Sequence, residues 1–151
     1  MKIADLIDAR SITIVPKAKK KLDLIKDMVE ILSRTERLLS PKRVLADVIE
    51  REKEKGTGLE QGVAVPHCRS EGTESLAAAF ALVPGGVDFG ALDGGPSRFV
   101  FLLISPKNAT TMHVQALATM ARVLKQDSVQ EALLAAKTPQ EIEKILTEAR
   151  V

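Results

Sequence analysis

Two uninterrupted apolar segments constrain the possible folds of this chain more than any other feature. Residues 76–83 and 99–104 consist only of Ala, Val, Leu, Ile and Phe. Apolar runs of this length are typical of strands, since helices are usually longer. A strand without alternating polar residues belongs in a sheet that is covered on both faces. We therefore predict that these segments are central strands with other layers packed on each side.

Helix signals and shorter strand signals come before the two central strands. Residues 11–15 form a strand candidate, and the apolar residues after it recur at helical spacing, at Leu22, Ile25, Met28 and Leu32. Ser40 and Pro41 supply a side-chain cap and a first-turn proline for a second helix, which Gly56 ends. Residues 62–66 then predict another short strand.

The remaining segments complete an alternation of strands and helices. A brief strand at residues 87–89 fits between turn residues that separate the central pair. Three helices are expected to follow. The first is capped by Thr110 or Thr111, the second starts near Asp127, and the third starts at Thr138. We predict an α/β fold, with a single domain over residues 1–151 and a mixed central β-sheet flanked by helices on both faces.

Composition excludes several kinds of partner. A net charge of +2, with no Trp, no Tyr and four Phe, does not predict nucleic-acid binding. No segment approaches the roughly 20 apolar residues of a membrane-spanning helix, so we predict no membrane insertion. The single cysteine, Cys68, permits neither an internal disulfide nor a thiolate zinc cluster. We expect a reducing, cytoplasmic location and neither a metal nor a cofactor.

His67 is the first candidate functional residue. It follows Pro66, which has a restricted backbone angle and favours an extended conformation at Val65. This context predicts an exposed loop position at the carboxyl end of a strand, where α/β folds often place ligands. An imidazole with an ordinary pKa near 6.5 is largely uncharged at neutral pH and can attack phosphorus. The alternative is a polar loop residue without a role.

His113 and Arg51 are candidates for holding an anion. His113 lies in the first turn of a predicted helix, on the stripe formed by Leu117, Met120 and Leu124, so it should point inward. A helix N-terminus favours a bound anion, although a core histidine bonded to a backbone carbonyl fits equally well. Arg51 could bind a phosphoryl group through two N–H groups, or it could form a surface ion pair with Glu54.

Three ordered blocks resemble the type 2 IIA phosphocarriers of the bacterial phosphotransferase system, the branch for fructose, mannitol and nitrogen regulation. The first block comprises residues 51–52, 56–58 and 62–67. The second comprises residues 86–94, 99–104 and Pro106, and the third comprises residues 113–117. Three blocks in the same order with fitting separations form a far more specific match than any single motif.

This resemblance implies a phosphotransferase component with a phosphohistidine intermediate. His67 would receive phosphate from the phosphohistidine of HPr or an HPr paralogue, and would pass it to a cysteine of a IIB partner or use it as a regulatory signal. His113 and Arg51 would stabilise the transferring group, and Thr57 would help to position it. Placement and charge neutralisation suffice for such a transfer without a metal. A flat apolar rim around His67 should serve as a transient docking face.

Two departures and three alternatives accompany the resemblance. Glu60 is expected to bring a negative charge close to the phosphate, and Cys68 replaces a common glycine, where a buried inert thiol is expected. The chain could instead be a nitrogen-type IIA regulator that controls other proteins according to its phosphorylation state. It could also be a metal-free acid–base hydrolase that uses His67 and His113, or an interaction domain that has lost phosphotransfer.

Overall fold

A mixed five-stranded sheet lies at the centre of the computed structural model, which describes residues 2–17 and 19–151. Strands β4 and β5 pair antiparallel, β1 joins β4 in parallel, and β2 and β3 join β5 in parallel. The strands are β1 (Ile12–Ile14), β2 (Val63–Ala64), β3 (His67–Arg69), β4 (Ala77–Val87) and β5 (Ser97–Ser105).

The two central strands are buried on both faces, as the apolar segments predict. Successive side chains of β4 and β5 alternate between two hydrophobic clusters, because neighbouring residues of a strand point to opposite faces. One face carries Ala78, Phe80, Leu82, Phe99, Phe101 and Leu103. The opposite face carries Ala77, Ala79, Ala81, Val83, Val100, Leu102 and Ile104. Both sets need a covering layer, and the helices supply it.

Helices cover each face of the sheet. Helices α1 (Lys21–Ser33) and α2 (Pro41–Glu54) pack on one face, and α3 (Thr110–Leu124), α4 (Asp127–Ala135) and α5 (Pro139–Glu148) pack on the other. The predicted α/β fold with a mixed sheet between helical layers is therefore confirmed. Within the described ranges, none of these helices is both long and apolar enough to cross a membrane.

Local signals locate some helix starts and miss another. The side chains of Ser40 and Thr138 accept hydrogen bonds from the backbone N–H groups of Arg43 and Glu141, as expected of caps. The predicted cap of α3 is wrong, because Thr110 is already its first helical residue and Ala109 precedes it without a side-chain cap. The predicted cap therefore holds for α2 and the predicted start holds for α5, whereas the cap predicted for α3 does not hold.

The predicted brief strand at residues 87–89 is also wrong. Strand β4 continues through Pro84 and two glycines to Val87, which pairs with Ser97 after a shift in register. Pairing along β5 thus overrides the turn preference of this segment. The strand predicted at residues 11–15 is shorter than expected, because Ser11 belongs to a preceding 3-10 turn.

Candidate functional site

A cavity of about 400 Å3 lies beside the two histidines of the chain. Three of the four predicted site residues line it, namely Arg51, His67 and His113. Its remaining wall consists of the side chains of Asp47, Glu50, Glu54, Cys68, Arg69 and Lys107. Among residues 2–17 and 19–151, no group of three or more His, Cys, Asp or Glu is arranged to hold a metal ion.

His67 begins a strand, so the predicted loop position is wrong. Strand β2 ends at Ala64, and β3 starts at His67, which pairs in register with Leu103 of β5. Pro66 lies between them, and because proline has no backbone N–H it interrupts a hydrogen-bonded ladder. Its carbonyl still accepts a hydrogen bond from the N–H of Leu103 at 3.0 Å. The edge strand is therefore interrupted at residues 65–66 and continues as β3, in the same register against β5 as β2.

One ring nitrogen of His67 is already occupied. Its Nδ1 lies 2.7 Å from the carbonyl oxygen of Val65. A carbonyl oxygen can only accept a hydrogen bond, so Nδ1 carries the proton and donates it. In the uncharged ring this leaves the lone pair on Nε2. The half-buried imidazole is thus held in the tautomer that offers Nε2 as the nucleophile.

The surroundings favour the uncharged form of His67. Burial lowers the pKa of the ring below its ordinary value near 6.5, and the positive charges of Arg51 and Arg69 lower it further. The hydrogen bond to Val65 and the negative charge of Glu52 oppose this shift without reversing it. At neutral pH the ring therefore has a lone pair available for attack.

His113 is buried in the first turn of α3 and faces His67. The centroids of the two rings are 5.2 Å apart and their planes are inclined by 61°. Its Nδ1 is hydrogen-bonded to the hydroxyl group of Ser105, so the alternative of a backbone carbonyl partner is wrong. Burial lowers the pKa of His113 to about 4, with smaller contributions from His67 and Arg69. His113 is therefore also uncharged at neutral pH.

Arg51 lies half-buried in the last turn of α2. Its Nη1 donates a hydrogen bond to the carbonyl oxygen of Lys55 at 3.1 Å. In the described part of the chain Arg51 forms no ion pair, which removes the alternative of a surface pair with Glu54. Its charge consequently remains available to an anion in the cavity.

Thr57 lies behind the cavity and does not line it. Its hydroxyl donates to Oε1 of the buried Glu52 at 2.6 Å, and its backbone N–H donates to Oε2 at 3.0 Å. Its carbonyl oxygen accepts a hydrogen bond from the N–H of Val65 at 3.1 Å. Thr57 is thus connected to His67 through the backbone N–H and the carbonyl of Val65. A role of Thr57 in positioning the phosphate stays a prediction, and it would be indirect.

Three residues of this region escaped the sequence-based analysis, namely Arg69, Ser105 and Lys107, and Glu52 stood in the first block without a role of its own. Arg69 could have been suspected, because residues two apart on a strand project to the same face and it follows His67 at that spacing. Ser105 is the polar residue that ends the apolar β5 strand. The buried positions of Glu52 and Ser105 depend on tertiary contacts for which the local sequence has no signal.

Two expectations about the surroundings of His67 are wrong. Glu60 is exposed and precedes β2, whereas His67 follows β2, so the strand carries the chain away from Glu60 and this residue does not line the cavity. The predicted flat apolar rim is replaced by mostly charged side chains. Met112 and Val114, which flank His113 in the sequence, are large apolar side chains that remain exposed. The expected buried thiol of Cys68 is confirmed, because only 5% of its surface is exposed. Burial raises its pKa to about 12.

Comparison with known proteins identifies the class of protein to which this chain belongs. The family model described as "Phosphoenolpyruvate-dependent sugar phosphotransferase system, EIIA 2" matches residues 5–149. The chain therefore belongs to this family of phosphotransfer components, and the resemblance found in the sequence is confirmed.

Individual relatives come from both the sugar and the nitrogen branches. The chain is 28% identical over 98% of its length to the PTS system fructose-specific EIIABC component of Bacillus subtilis, of which it spans only 23%. It is 30% identical over 96% of its length to a nitrogen regulatory protein of Pseudomonas aeruginosa, covering 94% of that protein. The crystal structure of nitrogen regulatory protein IIA-Ntr from Neisseria meningitidis matches 96% of this chain and 99% of its own, with a TM-score of 0.85 and 34% identity.

Proposed function

We propose that this protein is a phosphocarrier that accepts a phosphoryl group on Nε2 of His67. The donor is the phosphohistidine of HPr or an HPr-like protein, and the acceptor is a cysteine of a IIB domain in sugar uptake. The observation that carries the proposal is the hydrogen bond between Nδ1 of His67 and the carbonyl oxygen of Val65, at 2.7 Å. It leaves Nε2 as the free nucleophile in a cavity that also contains His113 and cations.

The transfer balances without a separate proton acceptor. The phosphorus–nitrogen bond of the donor breaks and its electron pair returns to the donor ring. The lone pair of Nε2 forms the new bond, while Nδ1 of His67 keeps its proton. The ring thereby gains positive charge, and the carbonyl of Val65 stabilises this charge through the existing hydrogen bond.

Positive groups around the cavity supply the charge neutralisation that phosphoryl transfer requires. Arg51, Arg69 and Lys107 line it, so three cations can approach the phosphoryl oxygens. His113 adds a ring nitrogen opposite His67. Together with burial, which is the largest cause, Arg51 and Arg69 lower the pKa of the free His67 ring. The same two charges would stabilise the negative charge of the phosphorylated ring.

The relatives support two roles for the phosphorylated protein. The Bacillus relative is named an EIIABC component, which favours a IIB partner in sugar uptake. The Pseudomonas and Neisseria relatives are named nitrogen regulatory proteins, which favours a second candidate function. In that case the protein would bind and control other proteins according to the phosphorylation state of His67. The one cysteine is a free thiol, which suits the cytoplasmic location that both roles require.

The proposal is tested by incubation with phosphoenolpyruvate, enzyme I and HPr. We expect acid-labile phosphate on the parent and none on His67→Ala. His113→Ala should label more slowly while its circular dichroism spectrum stays that of the parent. Labelling of both variants at the parental rate would contradict the site assignment.

Further experiments separate the candidate functions. Transfer of the phosphate onward to a purified IIB domain would favour sugar uptake, whereas phosphorylation-dependent capture of a regulated protein would favour the regulatory role. Hydrolysis of a model phosphodiester that is lost in His67→Ala would instead favour the acid–base hydrolase.

A further inference from the structure

We infer that Ser105 is a positioning residue that sets the tautomer of His113 and so makes it a hydrogen-bond donor toward the phosphoryl group. The inference rests on the proposed function of His67 and names a residue for which neither the sequence nor the relatives suggest a role. It is carried by the contact between the Ser105 hydroxyl and Nδ1 of His113, together with the burial of both side chains.

The backbone holds Ser105 firmly in place. It is the last residue of β5, and its Cα is in register with that of Arg69 in the parallel strand β3. Its carbonyl oxygen accepts a hydrogen bond from the N–H of Ser70 at 2.8 Å. The side chain is completely buried, with 0% of its surface exposed. Ser105 therefore presents its hydroxyl from a fixed point on the sheet to the first turn of α3.

The direction of the hydrogen bond follows from the partners of the hydroxyl. Among the described residues, the side chain of Ser105 has a hydrogen-bond partner only in Nδ1 of His113. If Nδ1 donated, the hydroxyl hydrogen would be buried without an acceptor, which is unfavourable. If Ser105 donates, both groups are satisfied. The uncharged ring then carries its own proton on Nε2.

The tautomer decides whether His113 attracts or repels a phosphoryl group. Nδ1 faces the buried Ser105, so the opposite edge of the ring is the part available to the cavity shared with His67. With the proton on Nε2, this edge offers an N–H to a phosphoryl oxygen. With the proton on Nδ1, it would present a lone pair to the same oxygen. Ser105 thereby removes the need for His113 to be charged, and burial lowers the pKa of His113 to about 4.

Nitrogen-15 NMR of histidine-labelled protein reads the tautomer directly at pH 7, without any functional assay. The chain contains two histidines, and His67→Gln assigns the two ring patterns. We expect a protonated Nε2 and an unprotonated Nδ1 for His113 in the parent. A His113 that is protonated at Nδ1 in the parent would overturn the inference. This measurement needs no Ser105 variant to fold.

Variants of Ser105 test whether the tautomer of His113 affects the rate of phosphorylation of His67. Ser105→Ala should give a mixture of His113 tautomers and slow phosphorylation of His67 about ten-fold, less than the 10²–10³-fold typical of removing a transition-state donor outright. Ser105→Thr keeps the hydroxyl and should restore both readouts. Ser97→Ala is the matched control, because Ser97 starts the same strand with a buried hydroxyl that has no hydrogen-bond partner in residues 2–17 and 19–151. It should behave as the parent.

The outcomes separate this inference from the proposed function. Parental tautomer and parental rate in Ser105→Ala would overturn the role of Ser105 while leaving phosphorylation of His67 intact. A parent protein that takes no phosphate at His67 would overturn the proposed function, and the NMR pattern would still decide whether Ser105 sets the tautomer. Equal slowing in Ser97→Ala and Ser105→Ala would show a general effect of strand β5 and would also overturn the inference.

Discussion

The Nδ1 atom of His67 lies 2.7 Å from the carbonyl oxygen of Val65, two residues earlier in the chain. The N–H of Val65 is held in turn by the carbonyl oxygen of Thr57, at 3.1 Å. Thr57 is fixed by two hydrogen bonds to the buried carboxylate of Glu52, which also contacts Lys21 at 3.3 Å. The orientation of the His67 ring therefore depends on a carboxylate at the end of α2.

Replacement of Thr57 tests this connection. Thr57→Val keeps the shape of the side chain but leaves Oε1 of Glu52 without its 2.6 Å hydrogen bond. We expect the free energy of unfolding to fall by about 1–3 kcal/mol, because a buried charged acceptor loses its partner. Chemical denaturation measures this loss. The matched control is Thr147→Val, whose exposed hydroxyl bonds only to backbone carbonyls of its own helix. Equal losses in the two variants would contradict the role given to Glu52.

Gly58 tests the close contact between the loop before β2 and the loop after β4. A Cβ atom at Gly58 would lie 2.8 Å from Cα and 2.9 Å from N of Ala91. Because both neighbours are backbone atoms, one loop must move, and Gly58→Ala should cost about 1–3 kcal/mol of unfolding free energy. Gly85→Ala is the control, since no atom of the described residues lies within 4 Å of its added Cβ, and we expect a change within about 0.5 kcal/mol. Thermal unfolding of both variants measures the difference, and an unaffected Gly58→Ala would argue against this packing.

The low pKa of His113 predicts a pH dependence of stability. Burial places its pKa at about 4 in the folded protein, against an ordinary value near 6.5 in the unfolded chain. Between these values the unfolded chain binds more protons, so the free energy of unfolding rises with pH. The contribution is complete above about pH 6.5 and is lost as the pH falls toward 4. From pH 7 to 5 we expect the parent to lose about 1–2 kcal/mol more than His113→Gln. Parallel pH profiles of the two proteins would contradict the burial argument.

Much of the fold is predictable because its signals are local. The apolar composition of β4 and β5 requires a covered sheet, and Ser40 and Thr138 cap helices through their own side chains. The strand character of His67 was not predictable in this way. It depends on pairing with Leu103 of β5, which is distant in sequence. The extension of β4 past Pro84 has the same cause, because pairing of Val87 with Ser97 overrides the turn residues between them.

The residues of the site also fall into two groups, those with a local sequence signal and those that depend on tertiary contacts. His67, His113 and Arg51 stand in sequence blocks with a recognisable order, and the fold brings all three to one cavity. Ser105 and Glu52 act through partners that only the folded chain supplies, so neither has a local signal. The prediction that Glu60 lies close to His67 failed for a different reason, because closeness in sequence was taken as closeness in space. Strand β2 lies between it and His67 and separates the two.

The thiol of Cys68 should be unreactive in the native protein. Burial, reinforced by the charge of Asp47, raises its pKa to about 12, so the reactive thiolate is scarce near pH 8. We expect alkylation by iodoacetamide to be at least about 100-fold slower than in the same protein unfolded in urea, as followed by mass spectrometry. Since the chain has one cysteine, each added group reports on Cys68 alone. Fast native labelling would contradict the burial of this thiol.

The central claim is that Nε2 of His67 carries the phosphate. It is tested most directly by phosphorylating the protein with phosphoenolpyruvate, enzyme I and HPr, and then recording nitrogen-15 NMR spectra of its histidine rings at neutral or basic pH. We predict that phosphorus couples to Nε2 of His67 alone, while Nδ1 of that ring stays protonated and bonded to Val65. Phosphate on Nδ1 of His67, on His113 or on any other residue would contradict the account.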